Sequence, residues 1–162
     1  MKKKSFIIKT LFILYIALML WLLFGQRMGR EYSGSYSEVI LSNLNLVPFA
    51  TVKLFLNAIQ GSFSDYTVKH SIINLAGNVV MFIPLGFFIP SVSKKYSSFT
   101  KCISASAVTI LIVEIVQLFT LLGSCDIDDF ILNIAGVIFG YGIFRVYNKN
   151  RADLVGSFLY HY

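Results

Sequence analysis

The stretch ILIVEIVQLF, residues 110–119, holds eight apolar residues in ten, with Glu114 and Gln117 three positions apart among them. Read with its flanks, the apolar run extends from about Phe99 to Gly123, long enough at ~1.5 Å rise per residue to cross a ~30 Å hydrocarbon core. A span with a carboxylate near its middle decides how the rest of the chain is read. Intramembrane ionisable groups cost ~2.5–3.5 kcal/mol on insertion scales and face the interior of a bundle. Other spans must therefore surround this one.

Three further runs qualify: about 6–24, 71–90 and 127–147. The chain of 162 residues is 56% hydrophobic and 14% charged, with mean hydropathy +0.72. A water-soluble fold of this length would expose too much apolar surface to stay dissolved. The expected fold is an all-α membrane protein, one unit over residues 1–162. It has four transmembrane helices and one amphipathic interfacial or re-entrant helix on the external side.

The first run follows Lys2, Lys3 and Lys4, is longer than a signal-peptide core and lacks a small-x-small cleavage site, so it reads as an uncleaved anchor. Placing both termini in the cytoplasm puts ten of the fourteen basic residues inside. Only Arg27, Arg30, Lys53 and Lys69 fall outside, as the positive-inside rule requires. The net charge of +6 carries no aromatic-interleaved basic patch, so nucleic acid is not an expected partner. Cys102 and Cys125 lie at opposite ends of one span, too far apart for a disulfide. No Cys/His cluster has zinc spacing.

The external loop, 25–70, opens with EYSGSYSE, which reads as flexible and polar. Beyond Pro48, suited to a first helical turn, Val52, Phe55, Leu56 and Ile59 repeat at helical spacing, with Lys53, Asn57 and Gln60 elsewhere on the wheel. This is the amphipathic helix, too short to span.

The polar groups at membrane depth are one-sided. His70, Asn74 and Asn78 form a stripe starting at the outer surface, and Gly77 beside it leaves room for a neighbour. Pro84 lies deeper and should free the carbonyl of Val80. Glu114 and Gln117 share a face, with Glu114 ~13 Å below the outer end of its span. Asp126, Asp129 and Asn133 share a face on the last span, continued by Gly136 and Gly140 as a small-residue seam for close helix approach. Asp126, Asp128 and Asp129 also stand where carboxylates cap a helix.

A channel would need polar groups through the full depth. A cavity open outside and closed below fits better. Its expected ligand-binding residues are Asn74, Asn78, Glu114, Gln117, Asp126, Asp129 and Asn133. If the protein is an enzyme, Glu114 with a pKa raised by desolvation is the general acid or base and Asp129 the second carboxylate. Asn78 and Asn133 would then orient substrate. Ser124 and Cys125 are nearby but have no histidine paired with them. Three carboxylates could hold Mg²⁺ or Ca²⁺, but the expectation is no metal and no cofactor.

The motifs NLVPF (45–49), NLAGNVVMFIPLGFFIP (74–90), EIVQLF (114–119) and DIDDFILNIAGVIFG (126–140) together resemble the VanZ-like family of bacterial membrane proteins. The resemblance covers about two-thirds of the chain. It implies signature positions at Asn45, Pro48, Phe49, Asn78, Pro84, Gly86, Glu114, Gln117, Asp126, Asp129, Asn133 and Gly136. It also implies a bacterial plasma membrane and an association with low-level resistance to teicoplanin and related lipoglycopeptides. Many members carry an arginine just before the first aspartate, where this chain has GSCD. The expected partners are a membrane lipid, a lipid-linked wall precursor or the lipoglycopeptide itself, bound or shielded at the cavity. The alternative is an outer-leaflet enzyme modifying a lipid-linked envelope substrate by carboxylate acid/base chemistry.

Overall fold

The computed structural model describes residues 2–25, 28–29, 32–57 and 65–159. In chain order the elements are α1 (Lys2–Phe24), α2 (Tyr36–Ser42), β1 (Leu44–Asn45), α3 (Ala50–Asn57), α4 (Asp65–Val92), α5 (Phe99–Phe119), β2 (Cys125–Asp126) and α6 (Ile127–Leu159). A single 3-10 turn at Lys94–Tyr96 joins α4 to α5. The expectations for Arg27, Arg30, Ile59 and Gln60 lie outside the described residues, as do those for the side chains of Val52, Phe55, Lys69 and His70.

Among the described residues, four helices are long and apolar enough to cross a membrane: Ser5–Phe24, Ile72–Val92, Phe99–Phe119 and Ile127–Lys149. Only 11% of the first window and 33% of the third is buried by the rest of the chain. Exposed Phe6, Ile13, Leu14 and Leu18 on α1, and Phe139, Ile143 and Val146 on α6, leave a wide apolar surface of the kind a hydrocarbon medium covers. The chain is a multi-pass membrane protein.

The second span, Ile72–Val92, falls close to the expected 71–90, on a helix that begins earlier, at Asp65, and runs through Pro84 and Pro90. The third stops at Phe119, four residues short of 123. Leu121 there takes φ 56°, Leu121 N–H bonds Leu118 O and Leu122 N–H bonds Gln117 O. That pair of bonds around a left-handed residue is a Schellman end.

The loop is also more ordered than its composition suggests. The stretch expected to be flexible instead starts α2, through a capping box in which Ser35 and Glu38 satisfy each other's backbone N–H. Pro48 precedes α3 instead of opening it. It sits in a turn where Ala50 N–H reaches Val47 O and Phe49 has φ 62°, the type II pattern with a bulky residue at the position that favours glycine. A two-residue parallel ladder pairs Leu44 with Cys125 and Asn45 with Asp126, a small departure from an all-α expectation.

In lipid, apolar burial does not drive helices together, so close packing must. The tightest contact is α4 on α6. A Cβ at Gly136 would overlap Val79 O, one at Gly140 would overlap Ile83 O, and one at Gly86 would overlap Val137 O. The core beside this seam is Met19 and Leu23 from α1, Phe82 and Leu85 from α4, Ile110 from α5 and Val137 from α6. At the far end of the bundle Tyr141 donates to Ser97 O at 2.9 Å and packs edge-on against Phe99.

Candidate functional site

The buried stripe of α5 runs Cys102, Ser106, Ile110, Glu114, then Gln117 and Leu118, a four-residue step that keeps one face inward. Glu114 therefore stands one turn beyond Ile110, toward the end of the bundle that carries the loop. Asn78 stands one turn beyond Phe82 in the same direction, and Asn133 one turn beyond Val137. Phe82, Ile110 and Val137 belong to one core cluster. The three polar residues thus form a layer directly on top of it. Glu114 is 5% exposed and Asn133 3%, so these two members of the layer are almost dry.

The DIDD turn, residues 126–129, ties that layer to the loop. Each aspartate takes a different partner. Asp126 accepts Asp128 N–H at 2.8 Å, the side-chain cap of α6, and also accepts the Asn45 amide of β1 at 3.0 Å. Asp128, almost fully buried, accepts the backbone N–H of Phe49 at the turn before α3. Asp129 accepts from Asn78 and, at 3.4 Å, from Asn74, both one turn apart on α4. Asn74 is exposed and Asn78 half-buried. This set runs from the surface down into the polar layer.

Two expected ligand-binding residues hold the frame as well. Gln117 is buried, and its amide nitrogen donates to Leu23 O at 3.0 Å, fastening the end of α1. Asp126 is the cap just described. Tyr36 donates to Phe119 O at 2.7 Å and Tyr32 to Leu121 O, so two phenols strap the loop to the end of α5.

Of the sequence-expected set, the structure joins Asn74, Asn78 and Asp129 directly and stacks Glu114 and Asn133 in the adjoining layer. The Asn133 Oδ1 atom has no hydrogen-bond partner among the described residues. A buried acceptor left unmatched costs ~1–3 kcal/mol, and native proteins keep few such atoms without a role or a water. Asp128 was not among the expected site residues. Its burial was hidden because a carboxylate accepting a backbone N–H from a turn 79 residues away leaves no spacing signature. Gly77, expected to leave space for a close neighbour, faces open space.

Beside this turn, burial pushes the Cys125 thiol pKa up, and the nearby carboxylates of Glu114 and then Asp126 push it further. Cys125 and Cys102 are both free thiols. Among the described residues no three His, Cys, Asp or Glu side chains come together as metal ligands.

The described part of the loop presents an apolar flank, with Leu41, Leu46, Val47, Phe49 and Leu56 all well exposed.

A model of the VanZ/LLP1 family matches residues 12–148. That stretch contains the second and third spans whole, most of the first and fourth, and every residue of the polar layer, and the chain belongs to the VanZ/LLP1 family. No curated protein and no solved structure matches it.

Proposed function

We propose that this family member uses the Asn74–Asp129–Asn78 set, with Glu114 and Asn133 beneath it, to bind the polar head of a cell-envelope lipid or lipid-linked wall precursor. The site opens on the outer side of the bacterial plasma membrane, with both termini cytoplasmic. Holding or shielding that ligand lowers susceptibility to teicoplanin and related lipoglycopeptides. The observation that carries this reading is the position of Asp129. Its carboxylate links an exposed amide to a half-buried one, so it can accept from hydroxyl or amine donors entering from the surface. The unmatched acceptor of Asn133 below it supplies a second anchoring point. The exposed flank Leu46–Val47–Phe49 and helix α3 lie at the outer interface, where they guide the apolar part of the ligand.

One observation favours a second reading. A buried carboxyl such as Glu114 is what a general acid or base needs, and Asp129 would be its partner in modifying a lipid-linked substrate. Drug susceptibility and lipid chemistry, measured together, separate the two. Strains expressing the wild-type chain, Asp129→Asn and Glu114→Gln at equal levels are compared with a strain lacking it. The binding reading expects the wild type to tolerate more teicoplanin and Asp129→Asn to lose that tolerance. It also expects identical lipids and precursors in all strains by mass spectrometry. A new covalent species that disappears with Glu114→Gln supports the enzyme. Equal susceptibility of wild type and empty strain sinks the resistance role.

A further inference from the structure

Between α1 and α4 the chain leaves a groove of about 540 Å³, lined by Tyr15, Met19 and Leu22 on one wall and by Asn74, Gly77 and Met81 on the other. Its two walls are tied together. Tyr15 donates to Met81 O at 2.9 Å, and Phe12, Tyr15 and Phe88 pack ring on ring there. Its rim is open to the side, through exposed Leu18, Ile73 and Val80. Its top is polar, where Asn74 and Asn78 meet Asp129.

The dimensions fit one kind of occupant. The α4 wall runs from Asn74 to Pro84, ten residues, or about 15 Å along a helix axis. That is half of a ~30 Å hydrocarbon core, the depth of one leaflet. Both walls are membrane-spanning helices, so the open rim faces acyl chains and not water. Gly77 keeps the middle of the groove wide, since a Cβ there would touch nothing within 4 Å.

The geometry points to this groove as a slot for one acyl chain of a membrane glycerophospholipid, entering sideways, with its head at Asn74 and Asp129. The inference rests on the binding reading for the identity of the polar site. It goes beyond that reading by placing one acyl chain of the ligand between α1 and α4, while α3 meets the rest of its apolar part at the interface.

The test uses the full-length protein in nanodiscs of phosphatidylethanolamine and phosphatidylglycerol. A trace of phosphatidylethanolamine carries a diazirine near the middle of one acyl chain. After illumination, labelled residues are mapped by mass spectrometry. Labelling is expected on Tyr15, Leu22 and Met81 at several times the level on Phe139 and Ile143, which are exposed on α6. Gly77→Leu fills the groove and should bring those three residues down to the α6 level. Gly77→Ala should have a smaller effect. Both changes favour the helix, so lost labelling is not lost folding. Gly142 also faces open space, on α6, and Gly142→Leu should change nothing. Even labelling over all lipid-facing residues, or focused labelling that Gly77→Leu leaves intact, overturns the slot. Even labelling together with lost drug tolerance in Asp129→Asn rejects the slot and keeps the polar site. Focused labelling together with unchanged tolerance in that strain keeps the slot and rejects the drug-related role of the polar site.

Discussion

Glu114 and Cys125 report on each other. A raised thiol pKa leaves less thiolate at a given pH, and the thiolate is the reactive form. Because negative charge on Glu114 is one cause of that rise, Glu114→Gln should lower the pKa and speed alkylation of Cys125 at pH 8. Cys102 is fully buried and should stay silent. An unchanged rate would show Glu114 to be neutral at that pH. Asp128 gives a second expectation at this scale. It is the acceptor for the amide of Phe49, a residue already held at φ 62°. Asp128→Ala should leave that amide unmatched and cost ~1–3 kcal/mol, read as a lower melting midpoint in mild detergent. Sequence reasoning found the polar residues of the spans because a carboxylate or amide is conspicuous among valines and leucines. It passed over Asp128 because a run of three aspartates in four residues reads equally well as capping. Only the turn that Pro48 makes reveals which one is buried.

The seam between α4 and α6 tests the elements. Gly140→Leu should prevent the close approach to Ile83 and lower the melting midpoint, by the ~1–3 kcal/mol or more that overpacking costs. Gly142→Leu, two residues on but facing open space, should be tolerated. The end of α5 gives a contrasting case. Leu121 sits in the left-handed region at a cost of roughly 1–2 kcal/mol, so Leu121→Gly should be tolerated and Leu121→Val should lower the melting midpoint. The seam was legible because Gly136 and Gly140 keep a four-residue step inside a long apolar run. The β1–β2 ladder was not. Two residues carry no periodicity, and their partners lie about eighty positions away. The α5 end was misplaced for a related reason: the apolar run continues through Leu121 and Leu122, while the backbone has already turned.

The basic residues argue for a direction of the whole molecule in the bilayer, and a labelling experiment decides it. With native cysteines replaced by serine, Ser124→Cys at the DIDD end should react with a membrane-impermeant maleimide on intact cells. Ser98→Cys at the opposite end should react only after permeabilisation. Reversal of that pattern would reject the cytoplasmic termini. Hydropathy made the four spans readable, and the one-sidedness of the polar residues followed from counting depth along each. How the four pack was not readable, because helix contacts in lipid depend on surface shape more than on composition. The DIDD turn bears on how the protein is made. Asn45 waits for Asp126 across 81 positions, and Phe49 waits for Asp128 across 79. At about 5–20 residues per second of synthesis, the loop stands without its anchors for roughly 4–16 s after it emerges. During that interval the apolar flank of β1 and α3 is held only by its own short helices and the lipid surface. Nascent chains stalled before residue 126 should therefore be cut in this loop by added protease, and chains released after α6 should resist.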